Sequence, residues 1–359
     1  MFDRTFVGLD VHARSVSGYA LTPSTGEVHR VRLGSDPVEV LRWVRTLPGS
    51  VMAGYEAGPT GYGLARALQG AGVDTVVLAP SKIIRPAGDR VKTDARDAKL
   101  LAQLLAVGEY VAVTIPSPAQ EAARDLWRVR AATSMDVRRA KQRISKLLLR
   151  QGIVYEERTW TKAHVQWLRT MSFPDPLLTR VYQAHLDAVL FGLERLATID
   201  ADLASCAADS QYAPVVARLG CLRGMSTVTA FGMATEIGDW HRFTGRSIGA
   251  YLGLIPSEHS SGASRSQGPL TRAGNRHARR LLIEASWQHL KPYRRSKDLT
   301  ARMQAATPAA RSRGHQGNQR LHRRWLDFER RNKNRNQANA AIARELAAWC
   351  WSLAVLPDQ

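Results

Sequence analysis

The sequence predicts a chain of two fold classes, an α/β region followed by an all-α region. Short apolar segments with strand character alternate with helical segments through residues 1–116. From residue 117 onward the apolar residues follow helical spacing only. With 359 residues, of which 44% are hydrophobic, the chain is long enough to bury cores in two or three domains.

The first region begins with three predicted strands joined by short turns, one of which contains PSTGE. Helices and strands then alternate, and the helix PTGYGLARALQGAG ends at glycines. This order resembles the ribonuclease H-like fold, a mixed sheet with helices on its faces. The predicted elements are strands 5–10, 15–22 and 27–34, helix 37–47, strand 50–57, helix 59–72, strand 73–80 and helix 94–108.

The second region begins with a long, arginine-rich amphipathic segment, residues 118–153. An aromatic segment with Trp160, Trp167 and Phe173 separates it from a second helical segment, residues 175–207. Two long antiparallel helices would form a coiled-coil-like stalk, a shape that supports self-association, although strict heptads are not sustained.

A compact helical unit is predicted over residues 214–300. Its segment 219–239 resembles a helix-hairpin-helix, in which a tight turn presents backbone amides to a phosphate. The second glycine of such a hairpin is absent, because Met225 and Ser226 follow Gly224. Simple helix packing therefore stays open as an alternative.

The remaining C-terminal segments carry much of the positive charge. A loop rich in Ser, Gly and Arg, residues 253–280, leads into a helix at 276–290. A basic run, residues 311–335, precedes a final helix that reaches about residue 355. A charge run is often only a solvated face. The net charge of the whole chain favours a nucleic-acid-binding surface for this one.

The composition predicts the kind of partner and the compartment. A net charge of +20 and a pI of about 10.6 favour a polyanion, because each neutralised phosphate releases condensed counterions. The three cysteines form neither a metal-binding spacing nor an even disulfide set, which fits a reducing cytoplasm. No signal-peptide apolar region is evident, and LAAWCWSLAVL is too short to span a bilayer, so no membrane partner is expected.

Four acidic residues stand at the ends of predicted elements. Asp94 and Asp97 begin the last helix of the first region, Asp10 ends the first strand and Glu56 ends the fourth. Capping by Thr93 or Asp94, together with the helix dipole, would explain acids in a first turn. In a ribonuclease H-like sheet, however, the first and fourth strands are neighbours, so all four carboxylates converge and repel. Two Mg²⁺ ions about 4 Å apart, or Mn²⁺ in their place, would neutralise them and hold a phosphodiester for cleavage.

Actin-like ATPases and sugar kinases share this topology and also open with a strand that ends in Asp. In those proteins a glycine-rich turn follows, and its backbone amides approach a phosphate. Here Val11, His12, Ala13 and Arg14 follow Asp10, and a turn without glycine would obstruct that contact. The kinase alternative is therefore disfavoured.

The motifs GLD, YEAGPTGYG and KTDARDA, with the later segment YLGLIPSEHSSGASRSQGPLTRAGNRHARRLL, resemble the DEDD insertion-sequence transposases of the IS110 type, which are described as bridge-RNA-guided recombinases. The resemblance covers nearly the whole chain and is weakest at about 150–180 and 300–335. The expected domains are a RuvC-like catalytic domain at 1–116, a helical oligomerisation region at 117–210 and a C-terminal transposase domain at 211–359.

The resemblance also implies a mechanism. The four acids match those of the RuvC Holliday-junction resolvase, and a nucleophilic serine that precedes a glycine maps onto Ser261, before Gly262. From the residues alone a Ser-Gly pair is usually a turn, and Ser260, Ser264 and Ser266 lie close by. The implied reaction joins the serine to DNA while the acids hold Mg²⁺.

The implied partners are target and donor DNA, a structured guide RNA that bridges them, and further copies of the chain in a dimer or tetramer. Arginines around the predicted serine loop are expected to bind phosphates, with a solvated basic helix as the alternative for some. Two other functions stay open: a metal-dependent junction endonuclease that uses water, and a basic nucleic-acid-binding protein with a decayed site. The intact acids argue against decay. The arginines are Arg265, Arg272, Arg276, Arg279 and Arg280.

Overall fold

The computed structural model divides the chain into two compact units, Met1–Ser117 (unit 1) and Pro118–Gln359 (unit 2). Unit 1 combines a sheet with helices, whereas unit 2 is almost entirely helical. The predicted fold class, an α/β region followed by a helical region, is confirmed. The further division of the helical region near residue 210 stays a prediction. The residues that the structure describes are 3–83, 93–208, 211–258 and 266–357.

The strands of unit 1 form one six-stranded mixed sheet. They are β1 (Arg4–Val11), β2 (Ser15–Thr22), β3 (Glu27–Gly34), β4 (Ser50–Glu56), β5 (Asp74–Leu78) and β6 (Ala112–Val113). Their order across the sheet is β3-β2-β1-β4-β5-β6, and β1 pairs antiparallel with β2 and parallel with β4. The two-residue strand β6 was not predicted, because so short a segment has no alternation to detect.

Helices cover both faces of this sheet, because the side chains of a strand point alternately to its two sides. Val7 and Leu9 are fully buried on one side, in a core shared with the first two helices of the unit. Gly8 and Asp10 belong to the opposite side, which the third helix covers. The three helices are α1 (Pro37–Val44), α2 (Gly63–Gly70) and α3 (Asp94–Val107).

α3 approaches β1 very closely at Gly8. A side chain on Gly8 would overlap the carbonyl oxygen of Ala98 and lie 2.5 Å from the amide nitrogen of Ala102. Both alanines are fully buried and lie one helical turn apart, so their small side chains permit this contact. The contact fixes the first turn of α3 beside the end of β1.

Unit 2 contains long helices, shorter helices and a two-stranded sheet. The predicted final helix and the predicted long helices are present, with ends within a few residues of expectation. The elements are α4 (Pro118–Arg150), α5 (Lys162–Thr170), α6 (Pro176–Ala207), α7 (Ala213–Leu219), α8 (Thr227–Ile237), α9 (Ser247–Tyr251), β7 (Pro256–Glu258), β8 (Gln267–Leu270), α10 (Arg276–Ser286), α11 (Lys297–Gln304), α12 (Pro308–Arg330) and α13 (Arg335–Ala354).

The two longest helices, α4 and α6, pack against each other in antiparallel directions. Arg130 of α4 forms a two-pronged ion pair with Asp200 of α6, and Val137 contacts Gly192. Beyond these contacts a core that includes Ile144, Leu147 and Leu186 joins the helices. The predicted helix pair is therefore present, and its role in oligomerisation stays a prediction.

The predicted basic run 311–335 lies mainly on α12, and only one face of that helix is basic. Leu321, Trp325 and Phe328 on the other face are buried in the main core of unit 2. Its arginines Arg320 and Arg324 lie near Glu345 of α13. The apolar spacing within the run is what makes it a packed helix.

The predicted hairpin between α7 and α8 is a packed turn. Gly224 has a φ of 79°, which only glycine adopts easily, and a side chain there would lie 2.5 Å from the Ala285 carbonyl oxygen. The close contact with α10 supports the helix-packing alternative for this turn.

The segment 253–280, predicted as a loop, contains the antiparallel pair β7–β8. The expectation of a plain loop is wrong there, because three- and four-residue strands that contain Pro and Gly show no strand pattern in the sequence. Among the described helices none is long and apolar enough to cross a membrane.

Candidate active site

Two acidic residues stand beside each other on the α3 side of the sheet. β1 and β4 are paired in parallel up to Leu9 and Tyr55, so the next residues, Asp10 near the end of β1 and Glu56 at the end of β4, lie on the same face. Asp10 is also paired with Ser17 of β2. The strand register alone therefore brings the first and fourth strand ends together, as the sequence predicted.

The first turn of α3 adds two more acids. The N-cap is Thr93, whose hydroxyl oxygen accepts a hydrogen bond from the Arg96 amide. Asp94 lies one turn before Ala98, the residue that packs on Gly8, so Asp94 is on the stripe of α3 that faces the sheet. Because Thr93 caps the helix, capping does not account for Asp94 or Asp97.

Asp10, Asp94 and His12 form the tightest group of ligand atoms. One ligand atom of each lies within 4.8 Å of the others. His12 Nε2 is 3.2 Å from Asp10 Oδ2 and 3.5 Å from Asp94 Oδ1. The side chains of His12 and Asp94 are about half exposed, at 54% and 47%, and that of Asp10 is 20% exposed. The group is open on one side to an incoming ligand.

The environment raises the pKa of Asp10 above its ordinary value. Burial is the main cause, and the negative charges of Asp94 and Asp97 add to it, while His12 opposes it through its charge and hydrogen bond. The fold therefore disfavours the ionised carboxylate that it holds at this point. A cation would remove that penalty, which is typical of a functional centre.

The donor set fits a divalent metal ion. Carboxylate oxygens are the ligands that Mg²⁺ and Mn²⁺ prefer, and an imidazole adds a nitrogen that suits transition metals. Two acids from separate elements and a histidine, clustered and partly exposed, meet this requirement. The identity of the metal stays a proposal.

Comparison with known proteins connects this geometry to a family. The model of the IS110 DEDD transposases, described as Transposase, matches residues 7–152. The model described as Transposase IS116/IS110/IS902 family matches residues 216–301. A Sinorhizobium fredii protein, named as transposase y4qE, is 34% identical over 361 residues, covering 98% of this chain and 89% of that protein.

The chain belongs to the IS110 family of DEDD transposases.

Other relatives agree with this assignment. The transposase for insertion sequence element IS1533 of Leptospira borgpetersenii is 28% identical over 346 residues, covering 92% of this chain and 98% of the relative. The transposase for insertion sequence element IS1328 of Yersinia enterocolitica is 24% identical over 292 residues, covering 79% and 83%. This IS110-family transposase is thus a DNA-processing enzyme, and its candidate centre lies within the part matched by the DEDD model.

The other two predicted acids of the transposase lie close by but outside the tight group. Asp97 is near enough for its charge to raise the pKa of Asp10. Glu56 is exposed at the end of β4, adjacent to Asp10 in the sheet, and is absent from the cluster found among the described residues. The structure thus brings Asp10 and Asp94 together most closely, and a role for Glu56 and Asp97 as ligands stays a prediction.

His12 is the member of the group that the sequence analysis did not assign to the site. It follows the end of β1 and stands two residues after Asp10, a spacing that places side chains on the same side of an extended chain. That i, i+2 relation in LDVH was the available signal. His12 enters the sequence analysis only as one of the four residues without glycine that follow Asp10 and disfavour a phosphate-binding turn.

The predicted nucleophile of the transposase, Ser261, and the predicted phosphate-binding Arg265 lie outside the described residues. Both belong to the segment that joins β7 to β8. Ser266, one of the alternative serines, is described and exposed.

The other four predicted phosphate-binding arginines fall into two groups. Arg272 and Arg276 are exposed. Arg279 donates hydrogen bonds to the carbonyl oxygens of Leu252 and Ala273, and burial lowers its pKa. Arg280 pairs with Glu284 one turn later. Phosphate binding by all four stays a prediction, and the geometry favours Arg272 and Arg276 for it. 

Proposed function

We propose that this transposase cleaves and rejoins DNA through a covalent serine intermediate, at a divalent-metal centre, under the guidance of a structured RNA. The observation that carries the metal part is the convergence of Asp10 and Asp94 from β1 and α3, in surroundings that raise the pKa of Asp10. The serine and RNA parts rest on the family to which the chain belongs and on the sequence motifs.

Asp10 and Asp94 would hold the metal, with Glu56 and Asp97 completing the set from the adjoining strand and helix turn. Mg²⁺ or Mn²⁺ at this centre would stabilise the negative charge that develops on a phosphodiester during transfer. His12 Nε2 lies 3.2 Å from an oxygen of Asp10 and 3.5 Å from an oxygen of Asp94, close enough for all three side chains to contact one metal ion. The close packing of Gly8 on α3 keeps that point fixed.

Ser261 is the proposed nucleophile. Its Oγ forms a bond to phosphorus as the bond from phosphorus to one deoxyribose oxygen breaks, and the serine proton ends on the released hydroxyl. Because the new ester replaces the old phosphodiester, the energy for rejoining is kept. Attack on the ester by a deoxyribose hydroxyl of another DNA end reverses these bond changes and restores Ser261.

The partners follow from the same proposal. Target and donor DNA are the substrates, and base pairing with a structured guide RNA selects their sequences, while the protein recognises RNA shape and backbone. Recombination joins four strand ends, so a dimer or tetramer is proposed, with α4 and α6 as the contact between copies. Light scattering of the active complex should show more than one copy, and an active monomer would contradict this part.

The metal centre can be tested by strand cleavage in EDTA. Cleavage should stop and should return with Mg²⁺ or Mn²⁺, and Asp94→Asn should abolish it without loss of nucleic-acid binding. Asp36→Asn, which removes an acid that caps α1, is the control for a simple change of charge. Full activity in chelator would exclude a metal-dependent reaction.

The serine can be tested by trapping the intermediate. A denaturing gel should show DNA attached to protein, and the attached peptide should contain Ser261. Ser261→Ala should lose the adduct and rejoining together, while Ser266→Ala should keep both. Free ends on both products, with no adduct, would favour the endonuclease that uses water.

The guide RNA can be tested by competition. The transposase should bind the folded non-coding RNA of its own element more tightly than a shuffled RNA of the same length at the same salt concentration. Both affinities should fall steeply with salt, because phosphate contacts release counterions. Equal affinity for the two RNAs would contradict recognition of a defined fold.

A further inference from the structure

Unit 1 contains a groove of about 860 Å³ beside the candidate metal centre. On one side it is lined by β2 and β3 and on the other by the first two turns of α3. Asp94, a member of the metal-binding group, is one of its lining residues. The groove therefore leads directly to the centre at which DNA would be cleaved.

The strand register explains why the groove is there. Asp10 is paired with Ser17, and Ser17 is paired with Arg32, so these three residues form one row across β1, β2 and β3 on the α3 side. Neighbouring strands are about 4.8 Å apart, which places the backbone of Arg32 about 10 Å from that of Asp10. In the next row Tyr19 is paired with Arg30. α3 packs over Gly8 and Tyr19, so the α3 side of the edge strand β3 remains open.

The groove is strongly basic on both sides. Arg30 and Arg32 of β3 and Arg96 and Lys99 of α3 are exposed, and Asp94 is the acid among the lining residues. Arg30 lies over the Tyr19 ring at 5.5 Å, which holds its guanidinium in place. The side chains of Arg32 and Lys99 have no ion pair with another described residue.

Other arginines of the same unit are used by the fold. Arg4 is paired with Asp74, and the guanidinium of Arg66 donates to the carbonyl oxygen of Pro116. The groove cations differ because they line an open surface next to acids that repel phosphate. A polyanion that reaches those acids needs compensating positive charge beside them.

From these observations we propose that the β2–β3/α3 groove binds the DNA strand that flanks the phosphate to be cleaved, with Arg32 and Lys99 on its phosphates. The occupant is DNA because the groove is continuous with the centre that acts on DNA. The inference rests on the proposed function of that centre, and it assigns to the groove a contact with the substrate rather than with the guide RNA.

The test compares two double variants that remove equal charge from unit 1. Arg32→Gln/Lys99→Gln alters the groove, and Arg42→Gln/Arg45→Gln alters exposed cations on α1 and just after it, on the opposite face of the sheet. The probes are a DNA duplex of random sequence and an RNA duplex of equal length, with affinity measured by fluorescence anisotropy at several salt concentrations. Mn²⁺ binding, followed by electron paramagnetic resonance, reports the metal centre in each variant.

The groove variant should bind the DNA duplex at least tenfold more weakly, and its logarithmic salt slope should fall by about 2, because two phosphate contacts are lost. Its affinity for the RNA duplex and for Mn²⁺ should be unchanged, and the α1 variant should behave as wild type. A loss confined to RNA, an equal loss in both variants, or no loss would overturn the inference. Failure of the proposed metal centre is separately visible, because Asp10→Asn would then retain both Mn²⁺ binding and cleavage.

Discussion

The two units of the transposase each hold a prominent acidic group, and the two groups are used in opposite ways. Glu236 of α8 is completely buried and fully paired: Arg128 binds it through two hydrogen bonds of 2.8 and 3.0 Å, and Asn275 donates a third of 2.7 Å. Asp10 and Asp94 are partly exposed and lie close together, and His12 is the basic side chain that contacts both of them among the described residues. Glu236 therefore stabilises the packing of helices, whereas Asp10 and Asp94 are positioned by the packing of β1 and α3.

This difference separates an acid that joins helices from the acids of the candidate metal centre. Glu236 connects α4, α8 and α10, because its partners Arg128 and Asn275 lie on α4 and at the start of α10. Asp10 is hydrogen-bonded to His12, two residues further along the chain, and burial raises its pKa, so its ionised form is disfavoured. Acids in surroundings that disfavour their ionised form are candidates for a functional site.

The largest expected effect is the loss of the buried pair. Glu236→Ala removes the buried carboxylate that binds Arg128 and Asn275 and should lower the free energy of unfolding by about 3 kcal/mol, the lower end for a broken buried pair because Arg128 is 38% exposed. Urea denaturation followed by circular dichroism measures this change. Glu284→Ala is the matched control, because Glu284 pairs with Arg280 on the exposed side of α10, and its loss should change stability by less than about 0.5 kcal/mol. Equal effects would remove the distinction between the two kinds of acid.

The next effect concerns the packing that positions the candidate site. Gly8→Ala places a methyl group against the backbone of α3 and should cost about 1–3 kcal/mol, because backbone atoms must move. It should also weaken Mn²⁺ binding, since Asp94 lies in the first turn of α3. Gly63→Ala, at the start of α2 where no atom lies within 4 Å of the added methyl group, should be neutral or slightly stabilising. Unaltered metal binding in Gly8→Ala would contradict the role of this contact.

The fold around the site could largely be predicted from the sequence, because each of its elements has a clear periodic pattern. The first five strands and α3 were predicted within a few residues, and strand order then placed Asp10 beside Glu56. The close contact at Gly8 could not be predicted, because it depends on how far α3 moves toward β1 once the core is packed. The structure groups Asp10 with Asp94 and His12 most closely, and the convergence of all four acids on one metal centre stays a prediction.

In unit 2 the sequence was informative about helices and less so about individual side chains. Arg276 and Arg279 are equally basic in the sequence, yet Arg279 is used to hold two backbone carbonyl oxygens. The partner of Glu236 lies 108 positions away on α4, a separation at which no sequence spacing rule applies. Tertiary contacts of this kind decide which charges are free for a ligand.

A third prediction concerns the dependence of stability on pH that a buried histidine of unit 2 should cause. His289 of unit 2 is fully buried, and burial lowers its pKa to about 3. The unfolded chain takes up a proton near pH 6.5 and the folded chain does not, so stability falls as the pH falls below that value. The loss should be about 2 kcal/mol between pH 7.5 and pH 5. His289→Leu should abolish this part of the pH dependence, as measured by urea denaturation at both pH values, and an unchanged dependence would contradict it.

The smallest expected change is an increase in stability, in the variant Asp10→Asn. Asp10→Asn removes a charge that burial, Asp94 and Asp97 all disfavour, and without metal it should raise the free energy of unfolding by a few tenths of a kcal/mol. The raised pKa of Asp10 means that the folded chain binds this proton more tightly than the unfolded chain. The free energy of unfolding of the wild type should therefore increase as the pH falls and Asp10 becomes protonated.

Asp10→Asn should also lose the stabilisation that Mg²⁺ gives to the wild type, which is a larger effect. Wild type should gain about 2.7 kcal/mol when Mg²⁺ is present at 100 times its dissociation constant, because only the folded state binds it, and Asp10→Asn should gain little. Unfolding temperatures measured in EDTA and in Mg²⁺ give both quantities from one experiment. Asp36→Asn, the control that removes a charge at the N-cap of α1, should change stability little, because asparagine also caps helices, and it should keep the gain with Mg²⁺. If Asp10→Asn were destabilised in EDTA, Asp10 would have to be grouped with Glu236 as a structural acid, and the candidate active site would lose its central residue.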